Sequence, residues 1–326
     1  MPGHHAMILL ISPAPPTTVF GNGVTVQRWA DVLRNLGHRV EVAQRYRGGR
    51  YTALVALHAR KSGDSITAFR ADHPDAPIVL ALTGTDLYPD LRSTGVDPAV
   101  LQTADRIVVL QPSGTDQLDP PLRERCRVIV QSVPPITPLP PKEDAFEVAV
   151  LAHLREVKDP LRAAEAARLL PESSRVTITH VGTGLDADLA DRARRAAEEE
   201  PRYTWLGELP RDEALAVLAR SRLLLLTSRH EGGANVISEA LAAGVPVLAS
   251  EIPGSTGLLG RDYPGYFPPG DTAALATCLH AAEIDRDGYY TRLTRRVAEL
   301  RPVVDPRREE ASWAELLAEL SLTVPA

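Results

Sequence analysis

Two glutamates, Glu231 and Glu239, stand eight positions apart in the stretch SRHEGGANVISEALAAGVPVLAS, residues 228–250. Gly232 and Gly233 follow the first of them. Glycines lack Cβ atoms and let backbone N–H groups approach an anion closely, while a helix opening at Ala234 and Asn235 adds unpaired N–H donors and a partial positive charge. Phosphate suits such a turn. Carboxylates beside a phosphate repel it unless they are aimed elsewhere, and the hydroxyl donors of a ribose and a hexose are suitable targets. The pattern points to a nucleotide sugar.

That chemistry requires a strand, a tight turn and a helix in this order. RLLLLTS, residues 222–228, reads as the strand, and ANVISEALAAG as a helix that Gly244 terminates before the strand VPVLAS. Glu231 then lies in the loop and Glu239 about one turn into the helix. Towards the N-terminus, MILLIS, GVTVQRWADVLRNLG, HRVEVAQ and TALVALH alternate apolar runs with amphipathic stretches, the signature of β-α-β units around a parallel sheet. APIVLALTG, ADRIVVLQ and CRVIVQS read as further strands. The pattern stops at VPPITPLPPKEDAF, where five prolines between Pro134 and Pro141 exclude a central strand or a helix interior and favour an extended linker. It resumes with EVAVLAHL, RVTITHVG, TWLGEL, RLLLLTS and VPVLAS, each but the last followed by a helix.

Near the end, Asp305 precedes Pro306 as a helix start, and Trp313, Leu316, Leu317 and Leu320 share one face at helical spacing. The expected organisation is an α/β first domain over 1–133, a proline-rich linker over 134–145, a second α/β domain over 146–304, and a C-terminal helix over 305–326 that packs back on the first. Two Rossmann-like parallel-sheet domains would face each other across a cleft, with ligands at the carboxyl ends of the strands.

Bulk properties exclude several classes of function. A formal net charge of −6 without a block of like charge gives no footprint for nucleic acid or an anionic membrane. No stretch approaches the roughly 20 apolar residues that cross a bilayer, and MILLISPAPP is too short for a secretory signal, so a soluble, cytoplasmic protein is expected. Cys126 and Cys278 read as buried small side chains rather than a disulfide or zinc site. Asp186 and Asp188 would face different directions on a helix, and His4 and His5 form only a terminal dipeptide, so no metal is expected. GTGLDA, from Gly182, matches a dinucleotide-binding pattern, but no other feature suggests hydride chemistry, and Gly182 is assigned to the lining of the nucleotide site.

The Glu-x7-Glu element, with EALAAGVPVLAS and IPGSTGLLG, resembles the glycosyltransferases of the GT-B fold, family 4. The resemblance implies that Glu239 hydrogen-bonds the ribose hydroxyls, that Glu231 lies by the donor sugar, and that the intervening glycine backbone meets sugar and diphosphate. It also implies an arginine and, five residues on, a lysine against the diphosphate. Lys158 matches, but His153 stands at the arginine position. Either His153 is protonated against the phosphate or Arg155 takes over.

SPAPP and GNGVTVQRWADVLRNLGHRV, with ALHARKSGDSI, LTGTDLY, HLREVKDP, WLGELP, EGGANVISEA and GLLGRDYPGYFPPGD, look like the selenosugar synthases of selenoneine biosynthesis. This resemblance implies transfer of a sugar, typically N-acetylglucosamine, from a UDP-sugar to selenium supplied as selenophosphate. The UDP-sugar is then a substrate, no cofactor is expected, and neighbouring enzymes would supply selenophosphate and consume the selenosugar.

Selenophosphate is already an anionic nucleophile, so its enzyme needs a cationic pocket more than a general base. His58, Arg60, Lys61 and Ser62, after the apolar run ending at Leu57, are candidates for that pocket. Gly21, Asn22 and Gly23 are candidates for a close backbone approach to a substrate. Thr83 falls where many family relatives carry a histidine, and a hydroxyl donates a hydrogen bond without shuttling a proton at neutral pH. Asp86 either touches sugar or acceptor or caps a helix. Lys158 and Arg155 would stabilise the departing UDP.

Overall fold

The computed structural model describes residues 7–14 and 21–323. His4, His5 and the last two residues of the SPAPP segment, Pro15 and Pro16, therefore lie outside the described residues. The chain divides into two compact units, the first of residues 1–132 and 306–326, the second of residues 133–305.

In the first unit β1 (Met7–Ile11), α1 (Asn22–Asn35), β2 (Arg39–Ala43), β3 (Ala53–Leu57), α2 (Ala59–Asp72), β4 (Ile78–Leu82), α3 (Pro98–Thr103), β5 (Arg106–Val109), α4 (Pro120–Glu124) and β6 (Cys126–Val128) follow in chain order. The strands form one parallel sheet in the order β2-β1-β3-β4-β5-β6. Alternate residues of β1 enter two cores: Leu9 and Ile11 pack on the side of Ile66 and Phe69, whereas Ile8 and Leu10 pack on the side of Trp29 and Trp313. This explains the nearly unbroken apolar runs, since a parallel sheet covered on both faces offers no polar face.

The second unit contains β7 (Phe146–Leu151), α5 (Arg162–Ala167), β8 (Val176–Val181), α6 (Ala187–Glu199), β9 (Tyr203–Trp205), α7 (Arg211–Arg220), β10 (Leu223–Leu226), α8 (Asn235–Ala243), β11 (Val247–Ser250), α9 (Pro253–Leu259), β12 (Tyr266–Phe267), α10 (Thr272–Glu283) and α11 (Tyr289–Leu300). Its sheet is parallel, in the order β12-β11-β10-β7-β8-β9. Strand succession reverses between β7 and β10, and a crevice opens at such a switch point beyond the carboxyl ends of the two strands. The run VPVLAS is followed by a helix after all. Pro253 stands at the first position of α9, where a missing N–H costs nothing.

The proline-rich stretch runs along the second unit. Leu139 N–H donates to the Ala219 carbonyl, and Lys142 Nζ lies 3.0 Å from Glu147, a wholly buried carboxylate on β7 that also accepts from Thr179 and Arg220.

Helix α12 (Pro306–Glu319) belongs to the first unit. Trp313, Leu316 and Leu317 are buried and Leu320 is partly so. The Trp313 and Trp29 rings meet edge to face with centroids 4.9 Å apart. The same face carries Glu309, 2% exposed, which accepts from Trp29 Nε1 at 2.7 Å and from the Ser132 N–H at 2.9 Å, and pairs with Arg28. A buried charge with this many partners holds the helix in one register.

Among the described residues no helix is long and apolar enough to cross a membrane. Cys126 is buried and Cys278 only half-buried, so the expectation of two buried thiols holds for the first alone. Burial pushes the Cys126 thiol up to about 11.

Candidate functional site

The switch point of the second unit gathers the segments that follow β7 and β10. After β7 the chain passes Ala152 and His153 into a short 3-10 turn, Glu156–Lys158. Thr227, at the end of β10, donates its hydroxyl to the carbonyls of Lys158 at 2.9 Å and Asp159 at 3.0 Å, and Arg229 N–H donates to the Val157 carbonyl at 2.8 Å. The two loops are laced together. Within them Lys158 Nζ lies 2.5 Å from Glu231 Oε1, which also accepts from the Ser228 hydroxyl at 2.7 Å. The sequence-predicted pair Lys158 and Glu231, 73 residues apart, is thus brought into contact.

Gly232 is buried and Gly233 half-buried as the chain turns into α8, whose N-cap is the buried Ala234 and whose first residue is Asn235. The Asn235 side-chain oxygen is buried without a hydrogen-bond partner among the described residues. Unpaired N–H groups of the first helical turn are the anion cradle this position provides. Helix α8 ends at Gly244, whose φ of 73° favours glycine. Glu239 sits five residues into α8, only 6% exposed, with Oε1 2.7 Å from Arg211 Nη2 at the start of α7. Neither Arg211 nor Gly254 was singled out from sequence. A Cβ on Gly254 would lie 2.4 Å from the Glu231 carbonyl oxygen, so this glycine lets α9 close against the Glu231 loop.

His153 Nδ1 accepts from the Thr183 N–H at 3.0 Å, which fixes that nitrogen as unprotonated. Burial and then the Lys158 charge lower its pKa, against Glu208. The protonated alternative for His153 is therefore disfavoured: a backbone N–H and a cation beside the ring both select neutral imidazole. Arg155 is exposed, with no ion pair among the described residues.

Under His153 lies a layer that sequence reading missed. His180 is wholly buried, donating from Nε2 to the Ala152 carbonyl at 2.8 Å and accepting at Nδ1 from the Tyr203 hydroxyl at 2.7 Å. Burial depresses its pKa to about 4. Gly182 abuts the same peptide, for a Cβ there would lie 1.9 Å from Ala152 O and 2.8 Å from His153 N. The glycine of GTGLDA is required by strand-end packing. Asp186 caps α6 by accepting from Leu189 N–H at 3.0 Å, and among the described residues no group of three or more His, Cys, Asp or Glu is placed to hold a metal.

Of the acceptor candidates in the first unit, His58 and the Thr83 loop gather around Asp86, whereas Lys61 lies apart. Asp86 is wholly buried and accepts from the backbone N–H groups of Ala59, Thr83 and Gly84 at 2.8–3.0 Å. It caps α2 and ties down the loop that carries Thr83, and its carboxylate does not face solvent. Ser62 is 1% exposed and donates to the Leu57 carbonyl at 2.6 Å, and His58 is 4% exposed with Nε2 3.1 Å from the Thr85 hydroxyl. Burial lowers the His58 pKa, against the Asp86 carboxylate. Arg60 donates to the Thr94 carbonyl at 2.9 Å, while Lys61 lines a cavity elsewhere. Successive residues of a helix point about 100° apart, which splits a cluster that is contiguous in sequence. Gly21 is the N-cap of α1 with φ 55° and ψ −124°, a conformation open to glycine alone, Asn22 is the first helical residue, and Gly23 is buried.

Comparison with known proteins fits this geometry. Residues 137–297 match the family of glycosyl transferases group 1. The matched residues span both loops of the switch point. A stretch of 189 residues, 57% of the chain, is 30% identical to the 2-deoxystreptamine glucosyltransferase of Streptomyces kanamyceticus, and 117 residues, 36% of the chain, are 32% identical to glycosyltransferase 1 domain-containing protein 1 of Xenopus tropicalis. The chain spans 47% and 34% of the length of these two relatives. Sucrose-phosphate synthase from Thermosynechococcus elongatus superposes with a TM-score of 0.80 at 17% identity, covering 97% of this chain and 99% of that one. Anabaena HepE, in complex with UDP and glucose, superposes with a TM-score of 0.74 at 17% identity, covering 97% of this chain and all of its own. The two parallel-sheet Rossmann-like domains are those of the GT-B fold.

Proposed function

We propose that this chain is a glycosyltransferase that moves a hexose, N-acetylglucosamine being the expected one, from a UDP-sugar to selenophosphate. The observation that carries the donor half is the contact of Lys158 with Glu231 beside the start of α8, at the switch point of a group 1 segment. Lys158 and the α8 N–H groups oppose the charge of the diphosphate, with exposed Arg155 as a second cation. His153 contributes as a neutral hydrogen-bond donor. Glu239, oriented by Arg211, accepts from the ribose hydroxyls, and Glu231 faces the sugar. Anabaena HepE, a protein of the same fold, binds UDP and glucose.

The acceptor half rests on the motif resemblance to selenosugar synthases and on the type of residue at Thr83, which supplies no base. In the step proposed, a selenium lone pair forms the C–Se bond at the anomeric carbon as the bond from that carbon to the β-phosphate oxygen breaks. The bonding electrons leave with UDP, and no proton need be removed from the nucleophile. One reaction must supply selenophosphate and another consume the selenosugar.

The test is an anaerobic incubation with UDP-N-acetylglucosamine and selenophosphate, following UDP release and the product by mass spectrometry. A selenium isotope pattern on the sugar that depends on both substrates is expected. UDP release with hydrolysed sugar alone would sink the acceptor assignment. A second reading, a carbohydrate or aminocyclitol alcohol as acceptor, draws on the similarity to the 2-deoxystreptamine glucosyltransferase. It predicts no selenium transfer in that assay, and a glycosylated alcohol when an aminocyclitol replaces selenophosphate.

A further inference from the structure

We infer that the first unit holds a separate oxyanion pocket built from Arg45, Arg47 and Lys61, and that it takes the tetrahedral phosphate-like group of the acceptor. The second clause rests on the function proposed above; the first does not. A cavity of about 650 Å³ lies at the carboxyl ends of β1 and β2, closed by the loop that follows β2 and by the first turn of α2. Its size is within the ordinary range for small-molecule sites and exceeds the needs of a bare ion. β1 is also where strand succession reverses in this sheet, with β2 on one side and β3 on the other.

The charges around this cavity are unbalanced. Arg45, Arg47 and Lys61 line it, and none of the three side chains has an ion pair or hydrogen bond among the described residues. Several other arginines of the unit are engaged: Arg70 with Asp105, Arg106 and Arg127 with Glu319, and Arg28 with Glu309. The one acid of the lining, Glu41, lies beside Tyr51, whose phenol pKa is raised by burial and then by this carboxylate. Like charges gathered within about a Debye length repel, and an anion bound among them reverses that cost.

The loop, QRYRGGR from Gln44 to Arg50, is built to present the two arginines. Tyr46 anchors it: the backbone N–H donates to the Ser65 hydroxyl at 3.1 Å, the phenol donates to Asp72 at 2.7 Å, and the ring packs edge-on to Phe69. Arg45 and Arg47 flank this anchored residue, and both line the cavity. Gly48 and Gly49, with φ of 85° and 124°, then turn the chain back towards β3. Planar guanidinium forks suit the oxygen edges of a tetrahedral anion, and Lys61 adds a third charge.

The experiment uses the full chain and two probes, inorganic phosphate and thiophosphate, titrated calorimetrically at low ionic strength. The double variant R45A/R47A and the single variant K61A should each lower affinity by about tenfold or more, as expected for losing charge-assisted hydrogen bonds. Arg50→Ala removes a cation from the same loop outside the cavity lining and should leave affinity within about twofold. Equal affinity in the wild type and R45A/R47A, or an equal loss in R50A, overturns the pocket. UDP affinity of R45A/R47A reports on the donor reading independently and should be unchanged. With selenophosphate as substrate, a raised KM at retained kcat in R45A/R47A supports the acceptor assignment. A lost phosphate affinity with unchanged selenophosphate KM keeps the pocket and removes its link to the acceptor.

Discussion

Replacing Gly182 by alanine probes the packing beneath the donor loop most directly. The new Cβ would lie 1.9 Å from Ala152 O, 2.4 Å from Ala152 C and 2.8 Å from His153 N. Carbon and oxygen settle no closer than roughly 3.3 Å even in C–H···O contacts, so about 1.4 Å must be found by moving backbone. No flexible side chain can yield instead, because every clashing atom belongs to the peptide that His180 holds from the other side. Overpacking of this kind costs about 1–3 kcal/mol, and a 1 Å misplacement of site groups costs on the order of 100-fold in rate. Gly207 is the control. Its φ is 72° with nothing within 4 Å of a built Cβ, so Gly207→Ala bears conformational strain alone, about 1–2 kcal/mol, without displacing His153. Urea denaturation, UDP calorimetry and steady-state UDP release should all be run on both variants. Gly182→Ala with wild-type UDP affinity and turnover would refute the argument that this glycine exists to let β8 meet the Ala152–His153 peptide.

Three further outcomes are expected. Lys158→Ala should lower kcat/KM for the UDP-sugar by about 10²–10³, the usual loss for one stabilising donor at a developing charge, while leaving the melting temperature nearly unchanged; turnover within threefold or so would remove its role. Glu309→Ala strands Arg28, the Trp29 indole N–H and the Ser132 N–H, and should cost about 3–5 kcal/mol in urea denaturation, whereas a loss below about 1 kcal/mol would mean that α12 is held by its apolar face alone. His180 is neutral when folded, with its pKa near 4 against 6.5 in the unfolded chain. Only the unfolded state takes up the proton between these values, so its contribution to stability is fully present above pH 6.5 and drains as pH falls towards 4, about 3 kcal/mol in all. The variant His180→Gln should flatten that part of the stability profile, and an unchanged slope would show that another group titrates there.

Much of the second unit could be read from local pattern. The β10 run, the glycine pair, Glu231, Glu239 and the Gly244 stop are contiguous, and strand–turn–helix chemistry is decided by residues within a few positions of one another. The partners of those residues were not legible. Arg211 reaches Glu239 from another helix, Gly254 meets Glu231 from the next connection, and His180 supports Ala152 from the neighbouring strand, contacts that depend on strand order rather than on spacing. Glu309 does carry a sequence signal, a glutamate four residues before Trp313 on an apolar helix face.

In the first unit the side chains of HARKS are dispersed, because adjacency in a helix points them in different directions. Sequence alone allows Asp86 either a ligand contact or a helix cap, and only the three amides converging on its carboxylate decide for the cap. The pairing of Lys61 with Arg45 and Arg47 is likewise a product of the fold. The sequence by itself determined two parallel α/β sheets and a phosphate-type turn, since apolar runs, glycines and helix stops act locally. Which charges face one another was decided by tertiary structure, because parallel strands adjacent in space are joined through crossovers that put their loop residues dozens of positions apart.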